Sequence, residues 1–227
     1  LSSLSYTEGF YYKPRIDWEL MESYHEGLIC STACIAGEVP QYLLLGRNDE
    51  AERVAARYRD LFGAENYYLE LQDHGMDEER RVNRELVPMA KRLGVGIIAT
   101  NDVHYLEKSD AAAHDALLCV GTNRKVSDVS RMRFPSPEFY LKSPDEMASL
   151  FRELPDALSN TLRINEMVNL TIPLPGPLLP KFDIPQSFCS DDDEKAAPEV
   201  ERVRAFLGAM SDDDICKPNP KYGKVAA

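Results

Sequence analysis

Gly94-Val95-Gly96-Ile97-Ile98-Ala99-Thr100-Asn101-Asp102-Val103-His104-Tyr105 is the stretch that decides the fold. Val95 to Ala99 is a short apolar run between glycine and polar residues, the pattern of a fully buried strand in a parallel sheet. Asn-Asp-x-His follows at once. In α/β folds chemistry collects at the carboxyl ends of the strands, where a rigid sheet holds the loops in place. Asp102 and His104 are two residues apart, so an extended backbone points both the same way. A carboxylate and an imidazole so placed can share one metal ion or work as an acid–base pair. The plainer alternative is that Asp102 caps the next helix and His104 makes a local hydrogen bond.

Outward from this stretch, strand and helix patterns alternate. Upstream, Leu28-Ile29-Cys30 reads as a strand with Ser31-Thr32-Ala33-Cys34 as its exit loop. A short helix fits between Gly37 and Gly46. Asn48 or Asp49 caps a second, whose Ala51, Val54, Ala55, Tyr58, Leu61 and Phe62 share one face. Tyr67 to Leu71 is the next strand, and Gln72-Asp73-His74-Gly75 leaves it. A helix over 77–93 carries Val82, Leu86, Met89, Ala90 and Leu93 on one face, with Pro88 predicting a bend near Glu85 and Gly94 ending it. Downstream, Ser109 is expected to cap a helix to about Val120, and residues 121–137 form a long loop. Phe139-Tyr140-Leu141 reads as a short strand. Ser143-Pro144-Asp145-Glu146 has proline at the first helical position and acids in the first turn. Pro155 opens a final helix, with Leu158, Leu162 and Val168 expected on its buried face.

This alternation predicts an α/β fold with parallel strands over roughly 28–120. Three or four strands are too few to close a barrel by themselves. Residues 1–170 read as the globular part. Pro173, Pro175, Pro177, Pro180 and Pro185 mark residues 171–188 as an extended linker. Residues 189–227 read as an acidic, disordered tail with a lone helical stretch near 198–209, and the acid runs at 191–194 and 212–214 lack the apolar flanks of a catalytic strand. At the other end, Tyr6, Phe10, Tyr11, Tyr12, Lys13 and Arg15 form an aromatic and basic segment. It reads as a packed loop; stacking against a nucleic-acid strand is the alternative. Asp17 caps a short helix through His25.

The 227 residues are 44% hydrophobic, enough for a substantial core. A net charge of −12 argues against a broad phosphate-binding surface, although a metal-lined pocket could still accept a phosphate. No apolar run approaches the length of a membrane span, so no membrane partner is expected. Five cysteines without a CxxC pair suit a reduced, cytoplasmic setting. The Leu1-Ser2-Ser3-Leu4 start, without an initiator Met, reads as part of a longer protein.

Three strand ends carry ligand-type residues. The first offers Cys34, the second Glu70, Asp73 and His74, the third Asp102 and His104. Parallel strand ends face one region, and thiolate, imidazole and carboxylate together suit zinc or a mixed site with manganese. Paired metals there would activate a water and clamp a phosphoryl group. Each residue also has a structural reading: Cys34 as a small buried apolar side chain, His74 as a turn cap, His25 and His114 as packing or exposed helix residues, Cys30 and Cys119 as core.

The stretches Glu8 to Asp17, Gly27 to Pro40, Tyr68 to Gly75, Ala99 to Tyr105, Arg131 to Phe134, Glu138 to Pro144 and Leu178 to Phe182 resemble, in order, the PHP domain of the bacterial replicative DNA polymerase III alpha subunits. The resemblance spans about residues 4–185. It implies the later portion of a distorted (βα)7 barrel with metals at the carboxyl ends of its strands. It places Cys34 at a position held by Cys or His, and Asp102 and His104 at the family's Asp-x-His pair. These are the implied zinc or manganese ligands; Glu70, Asp73 and His74 are further pocket candidates. The family's other ligands, including an N-terminal His-x-His, have no counterpart here, so metal binding by this chain alone is expected to be weak or absent. The polymerase catalytic aspartates, which use magnesium, also have no counterpart. The implied role is therefore part of a replicative DNA-directed DNA polymerase, with DNA and the other replicase subunits as partners. Two other roles compatible with the resemblance are a metal-dependent phosphoesterase or 3′–5′ proofreading exonuclease, and a non-catalytic module that binds a proofreading subunit.

Overall fold

Tyr67, Leu69 and Leu71 alternate with Tyr68 and Glu70, so β2 (Tyr67–Leu71) presents one wholly apolar face. A computed structural model describes residues 1–174 and makes β2 the centre of a three-stranded parallel sheet. Its neighbours are β1 (Cys30–Ser31) and β3 (Gly96–Ala99). Cys30 pairs with Tyr67, and Tyr68 through Leu71 pair with Gly96 through Ala99. The pairing runs on past the named strands: the Thr32 N–H donates to Tyr68 O at 3.2 Å and the Thr100 N–H to Leu71 O at 3.0 Å. All three strands therefore end at one edge, and their exit loops share it.

Among the described residues three helices connect the strands. After α1 (Ser2–Thr7) and α2 (Trp18–Tyr24), α3 (Glu38–Leu44) and α4 (Asn48–Phe62) connect β1 to β2, and α5 (Asp77–Leu93) connects β2 to β3. Val39 and Leu43 of α3, Ala51 and Ala55 of α4, and Val82, Leu86, Met89 and Ala90 of α5 pack with Tyr67, Leu69 and Leu71 in one core. Each fully buried leucine there stabilises the fold by about 1.5–3 kcal/mol relative to exposure. The charges of α5 suit its dipole, with Asp77, Glu78 and Glu79 in the first turn and Lys91 and Arg92 in the last. Gly94 ends it at φ +67°, a left-handed conformation that glycine adopts without a Cβ clash. β3 then leads to a 3-10 turn (Lys108–Asp110), α6 (Ala111–Gly121), α7 (Pro144–Leu150) and α8 (Pro155–Met167).

The α/β class and the parallel alternation stand as expected. Local caps do too: Asp17 Oδ1 accepts the Leu20 N–H at 3.0 Å, and Ser143 and Glu146 form a reciprocal capping box around Pro144. Several details differ. β1 is shorter and later than Leu28–Cys30, because its pairing begins only where the Cys30 N–H meets Asn66 O. Asn48 lies inside α4 and spends its side chain on Glu85 rather than on a cap. Glu107 and Asp110, not Ser109, cap the turn before α6. α5 does run through Pro88 as one helix over Asp77–Leu93, as its apolar spacing predicts. Residues 139–141 make only a single bridge, Tyr105 to Tyr140, rather than a strand. Leu162 and Val168 are exposed, since α8 faces β3 through Ala157, Leu158 and Asn160, whose Nδ2 donates to Ile97 O at 2.8 Å. Tyr6, Phe10, Tyr11 and Tyr12 are also exposed and not a packed loop. They contact one another and Arg15, whose guanidinium lies 4.9 Å from the Tyr11 ring centroid. The linker and tail from residue 175 onward, including the 198–209 helical stretch and Leu178 to Phe182, lie outside the described residues. Among the described residues no helix is long and apolar enough to cross a membrane.

Candidate functional site

The shared strand edge is polar because each strand ends in hydroxyl, amide or acid side chains. Glu70 points to the face opposite the core. Its two oxygens accept from the Ser31 and Thr100 hydroxyls, both at 2.5 Å, so one carboxylate ties the ends of β1, β2 and β3 together. Gln72 Nε2 adds a bond to Thr100 Oγ1 at 3.2 Å, and the Glu70 N–H donates to Thr32 Oγ1 at 2.8 Å. Cys34 lies beyond the positive-φ residue Ala33 and lines a small cleft with Glu70, Gln72 and Glu79. The structure therefore groups Cys34 with the acids of β2 and α5.

Asp102 and His104 form a pair of their own. Asp102 Oδ1 is 3.2 Å from His104 Nε2, and both side chains are partly exposed. The loop that carries them is anchored on the segment before α7. The His104 N–H donates to Phe139 O at 2.8 Å, and Asn101 Nδ2 donates to Tyr140 O at 2.6 Å. Phe134 packs on the His104 ring with centroids 4.5 Å apart, and His114 lies 5.5 Å away. Lys142, nearly buried, reaches Asn101 Oδ1 at 3.3 Å and puts a cation beside this loop; burial pushes its pKa below the usual lysine value.

The second strand end splits into two roles. Asp73 Oδ1 accepts the Gly75 N–H at 2.9 Å and closes the turn, leaving Gly75 at φ +82°. His74 turns inward and is 1% exposed. It does not cap the turn. Its Nδ1 lies 2.6 Å from Glu79 Oε1, its backbone N–H donates to Glu79 Oε2 at 2.6 Å, and its Nε2 accepts the Asp102 N–H at 3.2 Å. Phe139 stacks on the ring at 4.2 Å with planes 4° apart, and the Ser136 hydroxyl donates to His74 O. Burial pushes the Glu79 carboxyl upward, but the His74 ring and backbone donors outweigh it, and the net shift is below the usual carboxylate value.

Glu79 is the residue that sequence reading passed over. It looks like one of three ordinary first-turn acids, and only its 2% exposure and its two bonds to His74 separate it from Asp77 and Glu78. Ser31 and Thr100 were equally unremarkable until the register set them on either side of Glu70. A metal site needs more donors than the described residues bring together. Zinc takes at least three protein ligands, whereas Asp102 and His104 are a pair and Cys34 lies with Glu70 and Glu79. Among the described residues no group of three or more His, Cys, Asp or Glu side chains is arranged to hold a metal ion. These residues by themselves do not fit a metal centre, so no chemical step is assigned to one.

Three parallel strand ends thus converge on a polar edge, and an Asp-x-His pair leaves the third. A PHP domain family model matches residues 1–74. The DNA polymerase III subunit alpha of Treponema pallidum is 52% identical over 192 residues, which is 85% of this chain and 16% of that protein. Residues 1–74 thus match the PHP domain, and most of the chain is similar to one part of DNA polymerase III alpha subunits. The subunit from Borreliella burgdorferi is 46% identical over 189 residues, and that from Thermus aquaticus 38% over 216 residues. The chain thus spans 16–17% of the length of these relatives. Glu70 and His74 lie within the matched PHP residues, and Glu79 lies just beyond them.

Proposed function

We propose that this chain is the PHP-domain part of a DNA polymerase III alpha subunit and serves DNA replication as part of that larger enzyme. The observation that supports this most is the 52% identity over 85% of the chain to a protein of that name. Nucleotidyl transfer, with magnesium, belongs on this reading to other regions of the whole protein, and DNA and the other replicase subunits are its partners in the cytoplasm. Cys34, Asp102 and His104 are the positions proposed to join donors from outside the described residues in holding zinc or manganese. Asp102 and His104 suit this role because they are preset 3.2 Å apart on a loop held by Phe139 and Tyr140.

The test uses the full-length product of the gene that encodes this chain. Primer extension on a primed template is expected to incorporate deoxynucleotides, and a folded product that extends no primer would overturn the polymerase reading. Bound zinc and manganese, measured by elemental analysis, should fall in Asp102→Ala and in His104→Ala. Equal metal content in wild type and both variants would remove the ligand assignment while leaving the polymerase reading intact.

A further inference from the structure

We propose that Glu79 and His74 form a tautomer lock that positions the Asp102 main chain. His74 is buried with both ring nitrogens occupied by neighbours of opposite demand. Asp102 offers a backbone N–H, which can only donate, so His74 Nε2 must carry a lone pair. Glu79, ionised, can only accept, so His74 Nδ1 must carry the proton. The two demands select one neutral tautomer. The opposite tautomer would set an Nε2–H against the Asp102 N–H and leave Nδ1 facing a carboxylate with no proton between them.

Among the described residues nothing else around the ring relaxes this choice. Phe139 stacks flat on it and offers no hydrogen-bonding group, and Ser136 is engaged with the His74 carbonyl. Glu79 is itself held, because its second oxygen takes the His74 backbone N–H. It sits in the first turn of α5, where the helix dipole favours an anion. A protonated or amide side chain at position 79 could supply a hydrogen to Nδ1 and free the ring to invert. The identity of Glu79 thus reaches Asp102, 23 positions along the chain, through one imidazole. Carboxylate–histidine couples orient groups at functional sites in this manner, although here the oriented group is a main-chain amide and not a metal. His74 and Glu79 are positioning residues, and their role holds whatever Asp102 and His104 bind.

The experiment uses the 227-residue chain labelled with nitrogen-15. Long-range proton–nitrogen spectra at neutral pH should show His74 with Nδ1 protonated and Nε2 bare. Protonation of Nε2, alone or together with Nδ1, would overturn the proposal. Amide hydrogen exchange gives the second readout, comparing Asp102 with Thr100 and His104, whose N–H groups donate to the Leu71 and Phe139 carbonyls. In Glu79→Gln the Asp102 amide should exchange about tenfold faster or more relative to the Thr100 amide, the scale of one lost hydrogen bond. Equal acceleration at all three amides, or none, would mean that Glu79 contributes only to general stability, and the proposal would fall. If Glu79→Gln does not fold, the ring spectrum of the wild-type chain decides the matter.

Discussion

Replacing Gly96 with Ala should destabilise the protein through a single identifiable collision. Gly96 is the first residue of β3 and the cross-strand partner of Tyr68. A Cβ placed on its backbone would lie 2.7 Å from Tyr68 Cε1, 2.8 Å from Cδ1 and 3.4 Å from Asn160 Nδ2. Carbon atoms pack best at about 3.5–4.0 Å, so the ring would have to withdraw by roughly 1 Å. It has little room, because Tyr68 is 2% exposed, its hydroxyl is 3.8 Å from Met167 Sδ, and Asn160 is tied to Ile97 O. Overpacking of this kind costs about 1–3 kcal/mol, and the smaller unfolded-state entropy of alanine returns about 0.4–1 kcal/mol. The net expectation is a loss of about 1–2 kcal/mol, read as a lower midpoint in urea unfolding. The double variant with Tyr68→Leu isolates the cause, since removing the ring removes the obstacle. Alanine at 96 should then cost nothing or add stability, giving a coupling of about 1 kcal/mol or more between the sites. Gly94→Ala is the contrast. No atom lies within 4 Å of its added Cβ, yet its φ of +67° makes alanine costly by about 1–2 kcal/mol through backbone strain, and Tyr68→Leu should not relieve it. An unchanged or raised midpoint in Gly96→Ala, or an equal loss in both tyrosine backgrounds, would refute the packing argument.

Two further outcomes follow from buried titrating groups. The Glu79 pKa is lower in the folded protein than its ordinary value of 4.5, so its contribution to stability is present above that value and is lost as pH falls through the folded pKa. Urea midpoints measured downward from pH 5 should therefore drop more steeply for wild type than for Glu79→Gln, and parallel curves would show that Glu79 carries no such linkage. Burial pushes the Cys30 thiol up to about 11, so very little thiolate exists at neutral pH. Mass spectrometry after brief iodoacetamide treatment at pH 7.5 should find Cys30 unmodified in the native chain and modified in urea; ready labelling of native Cys30 would contradict its placement on β1 against the core.

Much of the architecture was legible because its signals are local. The cap of α2 at Asp17, the Ser143–Glu146 capping box and the left-handed Gly94 each join residues within a few positions, where residue type alone sets the geometry. The apolar run before Thr100 announced β3, and its alternation with amphipathic helices announced parallel strands. One misreading came from a distant alternative: Asn48 bonded Glu85 rather than its own helix end. Another came from a local one: Tyr6 pairs with Phe10 and Tyr11 with Tyr12 at the surface.

The candidate site divides along the same line. Spacing alone put Asp102 and His104 together just beyond the end of β3, and the pair lies 3.2 Å apart. It also determined that ligand-type side chains gather at the strand ends. What each of them faces was set by packing. Parallel register brought Ser31 and Thr100 to Glu70, and the packing of α5 on β2 set Glu79 against His74 and His74 against Asp102. Those partners lie 5 to 39 residues apart. Sequence spacing carries no information at such separations, because direction there is set by how strands and helices pack and not by the period of either.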